Sequence, residues 1–241
     1  MKTRYNHWDF ESMRLKINEI CGFASPMDEI ELGNYLKLIE EEGYDLSIVR
    51  VNEEDRETRN TLESFGFKMK EITHEISCKN IKYFNLKPNK KCSIKQDCKT
   101  VELLSIVDGL FKHGRFVEDP SIPTEKSNSR NLNWTLQILN DDTVIKKYLY
   151  YNDKPVGFMF YVSDENSVDL ILGGVSERYQ HLSYYFWEQI FLINKDKRFR
   201  TSISASNLGA LNLYLKFGFE VKKIKIGYHK KIMNKIISSN V

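Results

Sequence analysis

The segment that most constrains the fold is 201–219, which predicts a strand followed directly by a helix. Isoleucine and alanine alternate with serine before Asn207, and a period of two is typical of a strand with one polar face. Asn207 is a favourable N-cap residue, and leucines recur at helical spacing after it. Gly218 stands where a helix end favours a residue that tolerates positive φ. The segment therefore predicts a short, well-delimited helix directly after a strand.

A similar pattern occurs in the first part of the chain. Residues 61–70 match residues 213–222 in pattern, with the same Phe-Gly-Phe sequence at the centre, and an alternating strand precedes each copy. Repeated units of this kind indicate a duplicated architecture, in which residues 1–85 form a degenerate half-domain. Leu62 occupies the place of Tyr214 in the first copy, so that copy can build the same shape without the same chemistry. The alternative is coincidence, because the shared pattern is short.

The first half-domain is expected to begin with a half-buried strand within 8–20. A helix should follow Ser25 and end near Gly43, because an apolar stripe runs between them. A strand at 45–52, a charged helix and a further strand at 67–77 complete this part.

The sequence pattern of the remaining residues, 86–241, predicts a mixed sheet flanked by helices. Two helices, at 100–112 and 132–139, come first and are separated by a loop that contains prolines. Three strands then form an antiparallel meander, and the 201–219 unit leads into a last strand at 220–232. The crossover helix makes one strand pair parallel. We therefore expect an α/β (α+β) fold with a mixed, mostly antiparallel sheet.

Composition and charge exclude several classes of function. The chain is 41% hydrophobic and 29% charged, as in soluble globular proteins, and its net charge of +3 predicts no nucleic acid partner. The four cysteines show no metal-binding spacing, so no metal site is expected. No apolar window reaches the length of a membrane span, and the N-terminus has no signal-like apolar region. We expect a cytoplasmic protein with reduced thiols and no membrane partner.

The helix of the 201–219 unit carries a specific motif, N-x-x-A-x-x-x-Y-x-x-x-G-F, formed by Asn207, Ala210, Tyr214, Gly218 and Phe219. Tyr214 follows Asn207 by about two helical turns, so both side chains can face the same side. This pattern resembles the closing motif of the GNAT N-acetyltransferases. The resemblance implies a GNAT-like catalytic domain, acetyl-CoA as co-substrate, contacts from Asn207 and Ala210 to its pantetheine arm, and Tyr214 as the group that protonates the CoA thiolate. The alternative is an unrelated buried helix with a core tyrosine.

The third meander strand contains two consecutive glycines, Gly173 and Gly174. Glycine inside a strand weakens it and usually marks a bulge or the close approach of a ligand. The family resemblance implies that this strand splays from its neighbour and that the backbone of Gly173, Gly174 and Val175 holds the acetyl and pantetheine groups.

The turn that follows leads into a helix, whose N-terminus is a natural phosphate site. The family's pyrophosphate loop has the pattern Gln/Arg-x-x-Gly-x-Gly/Ala. The corresponding contacts implied here are Gln180, His181, Leu182, Ser183, Tyr184 and Tyr185. Ser183 and Tyr185 stand where the glycines should be, and the tyrosine ring must point away or narrow the site. His181 could add charge, or it could simply be solvated.

The segment between the first two helices carries a second resemblance. His113, Arg115 and Phe116, followed by Asn131 and Trp134, are similar to the pattern of the dTDP-fucosamine acetyltransferases. Those enzymes also place a truncated GNAT-like half-domain before the catalytic one. This resemblance implies a small-molecule acceptor amine, an amino-sugar nucleotide.

Arg115 offers a planar fork that suits a diphosphate or a carboxylate, although it could instead pair with Glu118 or Asp119. His113, Phe116 and Asp119 are the other expected acceptor contacts. Asp169, on the third meander strand, is a candidate for the acceptor site and for the general base.

The leading hypothesis is an N-acetyltransferase that transfers acetyl from acetyl-CoA to a nucleotide-linked (dTDP) amino-deoxysugar. One alternative is a non-catalytic GNAT-like binding or scaffold module, because both loop glycines are absent. Another is a tandem-GNAT transferase with a different acyl donor. The strongly apolar helix 186–193 predicts burial on two faces, either inside the chain or at a homodimer contact.

Overall fold

The structure is a computed structural model that describes residues 1–5 and 7–232. The described strands form a single sheet of ten strands, flanked by helices on both faces. The strands are β1 Lys2–Tyr5, β2 Ile17–Gly22, β3 Leu46–Asn52, β4 Lys68–Cys78, β5 Cys92–Lys95, β6 Ile145–Tyr151, β7 Lys154–Ser163, β8 Ser167–Val175, β9 Arg198–Ser204 and β10 Glu220–Lys231. The α-helices are α1 His7–Met13, α2 Glu29–Glu41, α3 Arg56–Ser64, α4 Thr100–Val107, α5 Thr124–Leu139, α6 Ser183–Ile193 and α7 Leu208–Lys216.

The two halves of the chain share their sheet by exchanging strands. The strand order is β1-β2-β3-β10-β4-β9-β8-β7-β6-β5, so β10 lies between two strands of the first half and β4 lies between two strands of the second. The neighbours of β4 and β10 are all antiparallel to them, while β2 with β3 and β8 with β9 form the parallel pairs. The sheet is therefore mixed and mostly antiparallel, as the sequence predicts. The division of the chain at residue 85 stays a prediction.

The duplicated strand-helix-strand units have the same local devices. Asn207 and Asp55 cap α7 and α3, and each side chain accepts the backbone N–H of the third residue after it at 3.1 Å. Gly218 and Gly66 follow the two helices with φ of +91° and +82°, which glycine adopts without strain. Equal caps and equal end residues support the internal repeat.

The core divides according to the sheet faces. On one face, α6 and α7 cover β7, β8 and β9 with an aromatic cluster that includes Phe186, Phe191, Phe199 and Phe217, each fully buried. On the other face, α4 and α5 cover β6 and β7 around Phe158 and Phe160. Each fully buried phenylalanine contributes about 1.5–3 kcal/mol by removal from water, so the two layers hold the sheet rigidly from both sides.

The structure corrects the expected first strand. Residues 7–13 form α1, and the strand begins only at Ile17. The apolar alternation around Met13 is misleading because Met13 is the buried end of a helix, which stops where Arg14 adopts a φ of +54°. The short strands β1 and β5, each of four residues, were not predicted; they lie at the two edges of the sheet, where little burial imposes a pattern.

Within the described part of the chain, no helix combines the length and hydrophobicity that a bilayer span requires.

The linker between the halves is held by one buried carboxylate. The backbone N–H groups of Phe84, Asn85 and Leu86 all donate to the side chain of Glu188, which lies in α6 and is 1% exposed. Three successive N–H groups around an anion form a compact charge-assisted arrangement. The linker is therefore fixed across α6.

We expect Glu188→Gln to destabilise the protein by about 1–2 kcal/mol, because a neutral amide accepts these N–H bonds less strongly. The measurement is the free energy of unfolding together with hydrogen exchange at Phe84, Asn85 and Leu86, which should become faster. Glu165→Gln, at an exposed turn, is the matched control. Unchanged exchange at the three amides would contradict this account.

Candidate active site

The candidate site lies where two parallel strands diverge. β8 and β9 pair only at residues 167–169 and 198–200, and no further pairs join them in the described structure. At the closed end, the hydroxyl of Thr201 donates to the carbonyl of Leu170 at 3.0 Å. Beyond it a cavity of about 380 Å³ opens, lined by side chains from both faces of the sheet. The gap therefore connects the α6 and α7 face with the α4 and α5 face.

Tyr214 lines this cavity from α7. Its ring is 4% exposed and meets Phe219 and Trp187 edge-on, with ring centroids 4.9 and 6.3 Å away. Burial raises the pKa of Tyr214 well above its usual value. The phenol therefore keeps its proton at neutral pH and is suited to donate it.

The first turn of α7 borders the same cavity through Asn207 and Ala210. The Asn207 Oδ1 atom accepts the Ala210 N–H at 3.1 Å and so caps the helix. The carboxamide nitrogen of Asn207 donates to no described residue, which leaves it available to a ligand in the gap.

The glycines of β8 have different surroundings. Gly173 lines the cavity, whereas Gly174 and Val175 do not. A Cβ atom at Gly173 would lie 2.7 Å from Met159 Cε, and one at Gly174 would lie 2.6 Å from Leu110 Cδ2. Close packing against these two side chains explains both glycines. The β8 edge that faces β9 remains unpaired along this stretch, so its backbone amides face the gap.

The N-terminus of α6 differs from an open glycine loop. Residues Glu177–Leu182 form a 3-10 turn that runs directly into the helix, and the Ser183 N–H donates to the Gln180 carbonyl. No side chain caps α6. Gln180 is exposed, whereas Leu182 belongs to the core, so Leu182 could contact a cofactor only through its backbone.

Three of the predicted loop residues line a separate cavity. His181, Tyr184 and Tyr185 border a space of about 400 Å³ beside the linker residues Phe84 and Lys87. The rings of Phe84 and Tyr184 meet edge-on at 5.6 Å. The linker thus builds one wall of the surface beside the α6 N-terminus, which sequence analysis did not predict.

The opposite face of the gap is covered by the loop between α4 and α5. His113, Arg115 and Phe116 line the cavity from this loop, and their role as acceptor contacts stays a prediction. Glu118 fixes the loop to the end of β9, because its Oε1 atom accepts the hydroxyls of Ser204 and Ser206 at 2.8 and 2.5 Å. Burial alone would raise the pKa of Glu118, but these hydrogen bonds and one from the loop backbone keep that pKa below its usual value.

Arg115 has a partner that the sequence did not suggest. Its guanidinium donates to Glu19 on β2 at 2.9 Å, rather than to Glu118 or Asp119. Burial raises the pKa of Glu19, but Arg115 and Arg4 outweigh it and lower that pKa to about 2. The first half of the chain therefore orients Arg115.

Two predicted residues lie away from the cavity. Asp119 is buried and bonds to His229 at 2.8 Å and to Lys70 at 3.0 Å, so it holds the loop to the sheet. Asp169 is near the closed end of the β8 and β9 pair, where it accepts two hydrogen bonds from Arg200 at 2.6 and 2.7 Å. This position removes Asp169 from the candidate bases.

The first half of the chain also contributes to the cavity, which was not predicted from the sequence. Arg50 from β3 and Glu71 and Thr73 from β4 line it, and Arg50 donates to Glu71 at 2.7 Å. The signal was present in part, because Glu71, Thr73 and Glu75 form a polar face on a predicted strand. Asn131 and Trp134, which carry part of the second resemblance, also line the cavity, and three further lining residues were not predicted: Arg130, Trp187 and Ser202.

One buried polar atom of a lining residue has no hydrogen-bond partner among the described residues. It is Thr73 Oγ1, in a side chain that is 5% exposed. Such a group is costly unless something satisfies it. Trp187, by contrast, hydrogen-bonds the side chain of Tyr214. Thr73 and the unpaired edge of β8 therefore offer polar groups to a ligand in the gap.

No family model and no curated protein matches this chain. Solved structures resemble it over most of its length. A conserved protein of unknown function from Staphylococcus epidermidis ATCC 12228 has a TM-score of 0.67 at 12% identity, with 93% of this chain and 89% of that one covered. A GCN5-related N-acetyltransferase from Sphaerobacter thermophilus has a TM-score of 0.64 at 14% identity, covering 100% and 78%.

A tandem GNAT protein from the clavulanic acid biosynthesis pathway has a TM-score of 0.58 at 6% identity, covering 90% of this chain and 75% of that one. At these identities the likeness shows a shared fold. The chain has the mixed α/β fold of the GNAT acetyltransferases.

Proposed function

We propose that this chain is an N-acetyltransferase that transfers acetyl from acetyl-CoA directly to a primary amine. The observation that carries the proposal is the position of Tyr214, whose protonated phenol borders the gap between β8 and β9. Binding in that gap would bring the two substrates together from opposite faces of the sheet, and proximity of this kind supplies much of the rate of a direct transfer.

The residues around the gap are proposed to have different roles in the reaction. Tyr214 is placed to give its proton to the departing thiolate, and Asn207 to hydrogen-bond the pantetheine arm. The unpaired amides of β8 are placed to stabilise the oxyanion that forms when the amine attacks the thioester carbonyl. When bound, acetyl-CoA supplies the activated acyl group.

The acceptor is proposed to be an amine that also carries an anionic group. Arg50, Arg115 and Arg130 line the acceptor side of the gap. Burial lowers the pKa of Arg130 to about 10, which still leaves its guanidinium charged at neutral pH. Guanidinium groups bind phosphates and carboxylates through paired N–H donors. A nucleotide-linked (dTDP) amino-deoxysugar has this chemistry, with its diphosphate close to its amine.

The second candidate is a GNAT-like module that binds ligands without catalysis, or a transferase with another acyl donor. The observation that favours it is the 3-10 turn at the α6 N-terminus, where the acetyltransferases carry a glycine loop for the pyrophosphate. This feature bears on CoA binding and leaves the gap around Tyr214 unchanged.

Two measurements test the proposal. Calorimetry measures binding of acetyl-CoA, and release of free thiol measures acetyl transfer to a panel of dTDP- and UDP-linked amino sugars. We expect acetyl-CoA to bind, and thiol release to depend on both the amine and the diphosphate. The controls are the same amino sugars without the nucleotide, and the corresponding sugar nucleotides without the amine. Absence of heat at millimolar acetyl-CoA would favour the binding module, and binding without thiol release would favour another acceptor or acyl donor.

A further inference from the structure

We propose that Glu71, on β4 of the first half of the chain, is the general base that deprotonates the acceptor amine. The proposal rests on the acyl transfer proposed above and assigns the group that the sequence analysis could not assign. It makes the first half a part of the catalytic site, although that half carries no counterpart of Tyr214.

Glu71 contributes the one carboxylate among the described residues that line the gap cavity. Its side chain is 5% exposed. Both hydrogen bonds from Arg50, at 2.7 and 3.2 Å, go to the Oε2 atom. The Oε1 atom accepts no hydrogen bond from any described residue, so one oxygen is held by a cation while the other can accept a proton.

The neighbouring backbone leaves space for this side chain. Gly227 on β10 pairs directly with Glu71, and a Cβ atom there would lie 3.2 Å from Oε2. On the cavity side, the Oε1 atom lies 4.0 Å from the position that a Cβ atom would take at Gly114. The absence of a side chain at Gly227 thus leaves room for the Glu71 carboxylate, while Gly114 places the acceptor loop beside its Oε1 atom.

The register of the sheet places Glu71 at the open end of the gap. β4 pairs with β9 through Thr73 and Ser204, and the Ala205 N–H donates to the Ile72 carbonyl. Glu71 therefore lies beside the junction at which β9 ends and α7 begins. Because side chains alternate along a strand, Glu71 lies on the face opposite to Ile76, which packs in the same cluster as Tyr214. The base and the acid would then act from opposite faces of the sheet.

Two other groups near the acceptor loop are less suited to this role. Glu118 already accepts three hydrogen bonds at its Oε1 atom, from Gly114, Ser204 and Ser206, and it does not line the cavity. His113 lines the cavity, but it is exposed and its Nδ1 atom bonds to Ser206 at 2.8 Å. Glu71 is the buried group with a free acceptor atom.

Several charged or titratable groups surround Glu71, and each bears on the pH dependence of a base at this position. They are Lys70 on its own strand, Arg50 on β3, His229 on β10, Arg130 on α5, and His113, Arg115 and Glu118 of the acceptor loop. Several of these cations have their own carboxylate partners, since Lys70 and His229 contact Asp119 and Arg115 contacts Glu19.

In the proposed reaction, the acceptor ammonium gives one proton to Glu71 Oε1, and its nitrogen forms a bond to the thioester carbonyl carbon. The C–S bond then breaks, and Tyr214 gives its phenolic proton to the sulfur. The second nitrogen proton returns through solvent to the Tyr214 oxygen, and Glu71 releases its proton to solvent. The sum is one amide, one free thiol and one released proton.

The test compares Glu71→Gln with the unchanged chain across pH, using the best acceptor from the sugar-nucleotide panel and, separately, hydroxylamine. We expect the variant to lose about 100-fold or more in kcat/KM at neutral pH, as loss of a general base should. The loss should shrink as rising pH deprotonates the acceptor amine in solution. Hydroxylamine is already unprotonated at neutral pH, so thiol release with it should be nearly unchanged.

Thermal unfolding and acetyl-CoA binding of Glu71→Gln control for folding, and Glu71→Asp, which keeps the carboxylate, should retain part of the activity. An equal loss at every pH, or an equal loss with hydroxylamine, would show a structural role and overturn the assignment. Absence of thiol release by the unchanged chain would instead overturn the proposed function, and the base assignment with it.

Discussion

Replacing Tyr214 with phenylalanine is expected to lower turnover by about 10- to 1000-fold, because the variant lacks a general acid. The ring of Tyr214 would still fill its place against Phe219 and Trp187, so the packing around it should remain. Only the phenolic proton is lost, and the thiolate must then leave without it. The measurement is single-turnover thiol release with acetyl-CoA and a saturating acceptor, together with the Kd of acetyl-CoA, which should change little.

Tyr161→Phe provides the matched control. Tyr161 is also a buried tyrosine of the same half, at 1% exposure, but it does not line the gap and its hydroxyl meets Asn194. This variant should keep the full rate. Because burial raises the pKa of Tyr214, loss of its proton should not limit the reaction of the unchanged chain below about pH 10, the usual tyrosine value. An unchanged rate in Tyr214→Phe would remove this residue from the mechanism.

Replacing Asp9 with alanine is expected to destabilise the protein by about 3–5 kcal/mol, the usual cost of removing one partner from a buried ion pair. Asp9 lies in α1, is fully buried, and accepts a hydrogen bond from Arg130 Nε in α5 at 3.0 Å. Without this carboxylate, the buried guanidinium of Arg130 loses a counter-charge that lies 3.0 Å away. The midpoint of thermal unfolding should fall by roughly 10 °C for a chain of this size.

Ser12→Ala tests the same helix pair with a neutral contact. The hydroxyl of Ser12 accepts a hydrogen bond from Asn133 at 2.8 Å, so its loss should cost only about 1 kcal/mol. If Asp9→Ala and Ser12→Ala had equal effects on the free energy of unfolding, the ion pair would not be the main link between α1 and α5. Arg130 also borders the gap cavity, so Asp9→Ala should weaken acceptor binding as well.

The local elements were largely readable from the chain. Asn207 and Gly218 delimit α7 because a cap needs a particular side chain and a helix end needs a particular φ, and both requirements are met by single residues. The spacing of Tyr214 after Asn207 placed both at the gap, since two helical turns bring them to one side. The glycines of β8 marked a special strand, although the structure explains them through Met159 and Leu110.

The sequence by itself thus determined most of the elements outside α1, β1 and β5, the mixed sheet and the place of Tyr214 on its helix, because periodicity and caps act over a few residues. Only the tertiary structure decided that β10 lies between β3 and β4 and that β4 lies beside β9. This order also sets the position of Glu71, which lies on β4. An alternating strand shows which side chains share a face, but its backbone hydrogen bonds are equally available to any neighbouring strand. For the same reason, the sequence did not predict that Arg115 pairs with Glu19 instead of Glu118. The partner of Arg115 depends on which strands lie next to its loop in the folded chain.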